Sequence, residues 1–338
     1  MKNLLLLGGD GFIGYHLTRS ILKDPSFSDY SITSVDKYSN RVSEFSGEDR
    51  FTYVSLDITN SNDVVKDLIS SSEIVMPLFA IATPKTYVER PMDVFQLDFE
   101  ENLKIIRLVH AFGKRLVFPS TSEVYGKAEA PFNEETTDCV YGPIKNSRWI
   151  YACSKQLLDR VIFAMNKKDP FNFTLFRPFN WIGPKLDSLE SSSEGSSRLI
   201  TQLLDDAIQK KEIILVDGGH RKRCFTDVDD GIEGLKLILL NEQVASKRIF
   251  NIGNPWNNRS VRDAAELVIQ LLEEAKLATG VTIKVRSSTD FYGAGYEDVA
   301  ERVPDINAIS DSLGWAPKIT FEQSLRKIVD LVASEGRL

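Results

Sequence analysis

The stretch that most constrains this chain stands at its start. Leu4 to Leu7 run without interruption into Gly8-Gly9-Asp10-Gly11-Phe12-Ile13-Gly14, and a helical apolar pattern follows to about Leu22. A short all-apolar run of this kind fits a central parallel strand buried on both faces. The same rhythm then recurs. Further strands are expected at Ser31–Val35, closing on Asp36, at Phe51–Leu56, closing on Asp57-Ile58, and at Glu73–Phe79, running into Ala80-Ile81-Ala82-Thr83-Pro84. Two more are expected at Arg115–Pro119 and Asn172–Phe176, with helices over Ser61–Ile69, Val94–Phe112 and Trp149–Met165 between them. Strands alternating with helices imply an α/β fold, a doubly wound parallel sheet of the Rossmann type with right-handed crossovers.

After Arg177 the rhythm becomes irregular. Ser188–Ser197 and Tyr292–Tyr296 read as loops, and Ile213–Val216 as a short strand. Leu199–Gln209, Asp230–Leu240, Ser260–Ala275 and Phe321–Val332 read as helices. The expected division is a nucleotide-binding domain over 1–177, rejoined by about 225–255. A smaller mixed C-terminal lobe would comprise 178–224 and 256–338.

Composition narrows the classes. A chain of 338 residues can build two parts around one cleft, and 42% apolar with 26% charged residues is ordinary for a globular protein. A net charge of −7 argues against a nucleic-acid surface. Three scattered cysteines and three scattered histidines suggest neither a disulfide framework nor a metal site. The N-terminal apolar run is too short for a signal peptide and no stretch approaches a membrane span, so a cytoplasmic location and no membrane partner are expected.

The glycines bring the first chemistry. Gly8, Gly11 and Gly14 lie where a backbone can approach a pyrophosphate and offer it helix N–H groups, with Phe12 and Ile13 between them. A carboxylate at the end of the second strand, here Asp36, accepts both ribose hydroxyls and repels a 2′-phosphate, which favours NAD over NADP. Asp57 reads either as a turn residue or, with Ile58, as an adenine-side contact.

The second chemistry spans Pro119 to Lys155. Leu116-Val117-Phe118 runs into Ser120-Thr121-Ser122-Glu123, and Tyr151 and Lys155 lie four apart on the following helix, hence on one face. A free phenol titrates near pH 10, and a close ammonium favours the phenolate. YxxxK alone is common on amphipathic helices. A strand end rich in hydroxyls makes it a candidate proton-transfer site, because ligands in open α/β sheets bind at strand carboxyl ends. Glu123 reads as a solvated loop carboxylate or a site group, Arg223 as a surface cation or a phosphate clamp, and Arg302, in an acidic stretch, as a salt-bridge partner or a site group.

Together GGxGFIG, Asp36, Ser-Thr-Ser-Glu, YxxxK and Arg177-Pro-Phe-Asn180 resemble the extended short-chain dehydrogenase/reductases along nearly the whole chain. Within them the chain is similar to UDP-glucuronic acid decarboxylases, in particular to ArnA-type decarboxylase domains. The matching stretches include Leu97–Leu103, Phe118–Gly126, Arg148–Tyr151, Ser154–Arg160, Phe176–Trp181 and Arg223–Asp227. The resemblance implies NAD as cofactor, a UDP-sugar substrate and a homodimer formed through the Tyr/Lys helix and Val94–Phe112. It implies that Tyr151, helped by Lys155, takes the 4-hydroxyl proton while hydride leaves, and that the resulting β-keto acid loses CO2. Thr121 would orient the sugar, Ser122 and Glu123 would act at its carboxylate end, and Arg302 would serve the decarboxylation. Tyr87 and Arg148 would line the carboxylate pocket, Asn180 and Arg223 would contact the diphosphate, and Tyr292 would contact substrate. Ala80 and Ala82 would lie beside the cofactor. The likeness extends to the decarboxylase half alone of those bifunctional enzymes, and Ser188–Gly195 leans toward UDP-apiose/UDP-xylose synthases. The product is therefore expected to be UDP-4-keto-pentose, UDP-xylose or both. Apiose synthesis, another nucleotide-sugar epimerisation or dehydration, and a non-catalytic NAD sensor are the alternatives.

Overall fold

The computed structural model describes residues 1–187, 198–292, 299 and 301–335. Seven strands form one sheet: β1 Lys2–Leu7, β2 Tyr30–Asp36, β3 Phe51–Ser55, β4 Ile74–Pro77, β5 Arg115–Pro119, β6 Phe173–Pro178 and β7 Arg248–Ile252. Their order is β7-β6-β5-β4-β1-β2-β3, every pair parallel. This is the expected doubly wound sheet.

The leucine run shows why it forms. Leu4 and Leu6 enter one apolar layer with Leu17 and Ile21 of helix α1 (Phe12–Lys23). Leu5 and Leu7 enter the opposite layer with Val65 and Ile69 of α2 (Asn62–Ser70), Ile105 and Val109 of α3 (Asn102–Ala111) and Leu158 and Ile162 of α4 (Ile150–Lys168). All four leucines are fully buried. Alternation along a strand sends neighbours to opposite faces, so a strand covered on both sides must be apolar throughout.

The order of the strands reverses between β1 and β4, and there the backbones crowd. Gly8 adopts φ +85°, and a Cβ on it would stand 2.7 Å from the Phe79 backbone nitrogen. A Cβ on Gly14 would stand 2.4 Å from the Gly9 carbonyl oxygen. Only residues without a side chain let β1 turn into α1 at this spacing.

Two helices differ from their expected form. Val94–Phe112 is a compound run: Pro91–Val94, a π-helical turn Phe95–Glu101, then α3. Leu199–Gln209 likewise passes from an α-helix, Leu199–Asp205, into a π-helical turn, Asp206–Lys210. A π turn inserts locally into the helical ladder and leaves the apolar periodicity readable as one helix. A short helix at Pro84–Glu89, opened by proline, was not anticipated. The Ser260 start is a capping box with Asp263, heading α5 (Val261–Glu274). The loops expected at Ser188–Ser197 and within Tyr292–Tyr296 lie outside the described residues, apart from the Tyr292 backbone, which ends the helix Ser288–Tyr292.

Beyond β6 the chain adds small two-stranded pairings, Glu212–Val216 with Thr282–Arg286 and Lys222–Cys224 with Asn258–Ser260. β7 then returns to the sheet edge beside β6. Asn251 on β7 accepts from the Tyr125 hydroxyl at 2.8 Å and donates to the carbonyls of Phe132 at 2.8 Å and Asp305 at 3.1 Å. Phe132 donates its N–H to Val303 O at 2.8 Å and accepts from Asp305 N at 2.8 Å. One buried amide thus ties the segment around Arg302 to the sheet.

Gly14→Ala forces backbone against backbone at the first turn, an overpacking worth about 1–3 kcal/mol. Its thermal unfolding midpoint, measured by calorimetry, should fall below that of the parent chain.

Candidate active site

The nucleotide end is built by three strand ends. Gly11 caps α1 without any side-chain hydrogen bond, so the first-turn N–H groups, with Phe12 and Ile13, have no side chain competing for them. Asp36 stands at the end of β2, accepting from Asp10 N at 3.1 Å and from Lys37 N at 2.8 Å. Burial raises its pKa above the ordinary carboxylate value, against the pull of those amides. Asp10, not foreseen from the sequence, is buried and takes the N–H groups of Asn40, Arg41 and Val42 at 2.7–3.0 Å. It holds the loop after β2 across the glycine turn. The turn that no Cβ could share, the uncapped helix start and the carboxylate beside them fit a dinucleotide.

Asp57 lies elsewhere in character. It accepts from Thr59 N and Oγ1 at 3.0 and 2.7 Å, caps the 3-10 turn begun by Ile58, and pairs with Lys37 at 2.8 Å. Lys37, then the Thr59 hydroxyl, lower its pKa to about 2. The carboxylate serves its own turn and the ion pair with Lys37.

The reaction end gathers around α4. Tyr151 is buried and stacks on Tyr87, ring centroids 5.0 Å apart and planes 7° from parallel. The Arg148 guanidinium lies 5.6 Å from the Tyr87 ring centroid. Thr121, at the end of β5, caps the 3-10 turn Ser122–Tyr125 by accepting from Glu123 N at 3.2 Å. Ser122 is buried in the same turn. Thr121, Ser122, Glu123, Tyr151, Arg148 and Tyr87 are thereby brought together, although they come from three separate segments.

Lys155 lies on the same helix, and its contacts are with the end of β5. Its Nζ is buried, donates to Pro119 O at 3.1 Å and sits 4.9 Å from the Phe118 ring centroid. Burial lowers its pKa, opposed by Asp98 and Asp159. Tyr151 is raised above the ordinary phenol value by burial first, then by the charges of Asp98 and Glu123, with Thr121 pulling the other way. In the chain by itself burial and the nearby carboxylates hold the phenol above its ordinary value.

Glu123 is the electrostatic centre of the site. One carboxylate oxygen accepts from Arg148 Nη1 at 2.7 Å and the other from Arg302 Nη1 at 3.3 Å. Burial alone would raise its pKa, but the two guanidiniums overcome that and lower it to about 2. The solvated-loop reading of Glu123 gives way, and Arg302 is a salt-bridge partner, though of Glu123 inside the site and not of its acidic neighbours in sequence.

A cavity of about 520 Å³ opens from this triad, lined among others by Ala82, Glu123, Arg148, Asn180, Arg223 and Arg302. That volume suits a mid-sized polar ligand. Asn180 lies in the left-handed region, φ 42°, and its Nδ2 is buried with no hydrogen-bond partner among the described residues. Arg223 is buried, donating to Lys222 O at 2.7 Å and Val299 O at 3.0 Å, which replaces the surface-cation reading. Arg198 and Arg221 also line the cavity and were not singled out in sequence. Ala80 lies on the loop after β4 with Ala82. The Tyr292 side chain lies outside the described residues.

Two further groups escaped sequence reading. Ser120 donates to Asp159 Oδ2 at 2.7 Å, and Arg177 donates to the same oxygen at 3.0 Å, so this hydroxyl of the Ser-Thr-Ser run serves α4 packing. Asp98, on the π turn, is fully buried and accepts from Ile81 N at 3.0 Å. A charged residue within an apolar-periodic helix was its only available signal.

Comparison with known proteins adds the following. A family model described as the NAD dependent epimerase/dehydratase family matches residues 4–253. The bifunctional polymyxin resistance protein ArnA of Wigglesworthia glossinidia brevipalpis is 42% identical over 336 residues, 98% of this chain and 51% of that protein. The chain thus spans about half the length of that curated relative. The crystal structure of PbgP3 protein from Burkholderia pseudomallei superposes with a TM-score of 0.87 at 43% identity, covering 99% of this chain and 97% of the other. A UDP-glucuronic acid 4-epimerase from Bacillus cereus, solved with UDP-glucuronic acid and NAD, superposes with a TM-score of 0.81 at 20% identity, covering 98% of each chain. At that identity the likeness concerns the fold.

Glu123→Gln removes the charge that both guanidiniums face, and breaking a buried ion pair costs about 3 kcal/mol or more. Denaturant unfolding at pH 7 should show that loss. A carboxylate depressed in the folded state stabilises above its unfolded pKa, so the difference between the two proteins should shrink as pH falls from about 4.5 toward 2.

Proposed function

This chain belongs to the NAD-dependent epimerase/dehydratase family, and from that footing we propose that it oxidatively decarboxylates UDP-glucuronic acid to UDP-4-keto-pentose, UDP-xylose or both. It is a nucleotide-sugar-modifying enzyme of that family with NAD as cofactor. The finer reading is carried by one observation, the buried carboxylate Glu123 bridged by Arg148 and Arg302 at the wall of the cavity. A plain dehydrogenase of neutral sugars has no need of two buried guanidiniums there; a sugar acid does.

NAD, when bound, supplies an electrophilic, positively charged acceptor for the hydride from the sugar. The Gly8–Gly14 turn and Asp36 would hold it, and Tyr151 would take the proton from the neighbouring hydroxyl. Since burial keeps the Tyr151 phenol protonated in the chain alone, this role draws on Lys155 and on positive charge entering with the ligands. Arg148 and Arg302 would hold the carboxylate of the resulting β-keto acid while its C–C bond breaks, the electron pair passing into an enolate and CO2 leaving. An incoming carboxylate competes with Glu123 for these cations. Once either guanidinium turns to substrate, burial is less opposed at Glu123 and its proton affinity rises, which equips it to exchange a proton with the enolate carbon. Asn180 and Arg223 are placed to meet the diphosphate, and Thr121 to orient the sugar.

Exposed Leu157 and Phe163 on α4 support a homodimer through that helix. Light scattering should give twice the chain mass, and a monomer at micromolar concentration counts against it.

Mixing the protein with NAD⁺ and UDP-glucuronic acid should release CO2, and product NMR should show a pentose; absence of CO2 across pH and salt conditions rejects the reading. Net NADH absorbance separates release of the keto sugar from its reduction. Tyr151→Phe should lower turnover by about 100-fold or more while leaving NAD affinity nearly unchanged.

A further inference from the structure

Asp98 is a buried carboxylate to which the mechanism above gives no task. It stands on the π-helical turn Phe95–Glu101, which packs against α4, the helix carrying Tyr151 and Lys155. Its side chain is completely buried. Oδ2 accepts from the amide of Ile81, in the loop that leaves β4 at the point where strand order reverses. Oδ1 has no hydrogen-bond partner among the described residues. A buried carboxylate oxygen without a donor is costly.

The charges around it show what that use is. Lys155 from α4 acts on Asp98 and is itself acted on by Asp98 and Asp159. Asp159 already receives the hydroxyl of Ser120 and the guanidinium of Arg177. Among the described residues Asp98 accepts from the Ile81 amide alone, and Lys155, which Asp159 also influences, is the cation that opposes its burial. Tyr151 from α4 and Tyr87 from the helix Pro84–Glu89 both feel the Asp98 carboxylate, and Glu123 and Arg198 act on the same Tyr151 phenol. One side chain therefore touches the loop beside the glycine turn and biases the proton-transfer pair.

We propose that Asp98 is a positioning residue that sets the charge state of the Lys155–Tyr151 pair and couples it to the loop Ala80–Pro84 through the Ile81 amide. Ionised, it stabilises the Lys155 ammonium and opposes the Tyr151 phenolate; protonated, it releases both effects. Burial raises its pKa to about 7, with Lys155 and the Ile81 amide opposing, so the change of state falls in the working range of most enzymes. The π turn supplies the geometry, since one inserted residue re-aims a helical side chain.

The inference rests on the proton-transfer reading of Tyr151, and its test separates the two. In protein labelled with ¹³C at aspartate side-chain carboxyls, the resonance lost in Asp98→Asn is that of Asp98. It should titrate near neutral pH in the substrate-free chain, and at higher pH in Lys155→Met. Titration near pH 4, the ordinary carboxylate range, or a value indifferent to Lys155→Met, overturns the proposal. Asp98→Asn preserves an acceptor for Ile81 but carries no charge. Its kcat/KM profile for UDP-glucuronic acid turnover should have the acid limb moved to lower pH by about one unit, with NAD affinity within about twofold of the parent. An acid limb left in place, whether or not NAD affinity falls, overturns the proposal in favour of a merely structural role. If the parent chain does not turn over UDP-glucuronic acid, the proposed function fails, and the carboxyl titration still decides the role of Asp98.

Discussion

Two-sided burial of the sheet is the constraint from which the site follows. β1, β4, β5 and β6 have both faces closed by apolar layers, so their side chains cannot carry chemistry along their length. Polar groups are admitted only where the strands end and the backbone leaves the sheet. Asp36 is the last residue of β2, and Gly8, Ala80 and Thr121 follow within three residues of the ends of β1, β4 and β5. The crevice is thus a by-product of the core. Its floor is the crowding between Gly8 and Phe79, which has no room for a Cβ.

Within that crevice the same low dielectric that seals the core makes every charge consequential. Three carboxylates are buried near α4, and each is treated differently. Glu123 is bracketed by two guanidiniums and held ionised. Asp159 is matched by Arg177 and Ser120 and serves packing. Asp98 has a single backbone donor and no ion pair among the described residues, and its proton affinity climbs. Burial raises Asp98 and, against Arg177 and Ser120, Asp159 as well, and only at Glu123 do two guanidiniums reverse it. Tyr151 records the sum: it is buried and acted on by the carboxylates of Asp98 and Glu123, so proximity in sequence to an ammonium does not by itself yield a phenolate.

Legibility differed along the chain for physical reasons. Arg115–Pro119 was read to the residue because a buried parallel strand is a continuous apolar run with polar ends. The Tyr151 and Lys155 helix was read because periodicity of 3.6 is local. Asp57 was half legible: the turn was visible, but not its partner Lys37, which binds it from the end of the neighbouring strand. Glu123, Arg148 and Arg302 could be named through likeness to a family, yet their ion triad spans 179 positions, and no local pattern encodes a contact of that separation. Asp98 was passed over for the converse reason. It sits in a helix whose periodicity looked ordinary, and the π turn that re-aims it leaves no mark in composition.

The sequence by itself determined the doubly wound architecture, the glycine turn, the carboxylate at the end of β2 and the membership of the Tyr/Lys helix. Each depends on short-range pattern, on alternation, periodicity or the absence of a Cβ. Tertiary structure alone decided that Lys155 bonds the Pro119 carbonyl, that Glu123 is clamped from both sides, and that β7 returns Asn251 to pin the segment of Arg302. Those outcomes depend on which charges share a buried volume, and a buried volume exists only once the layers have closed.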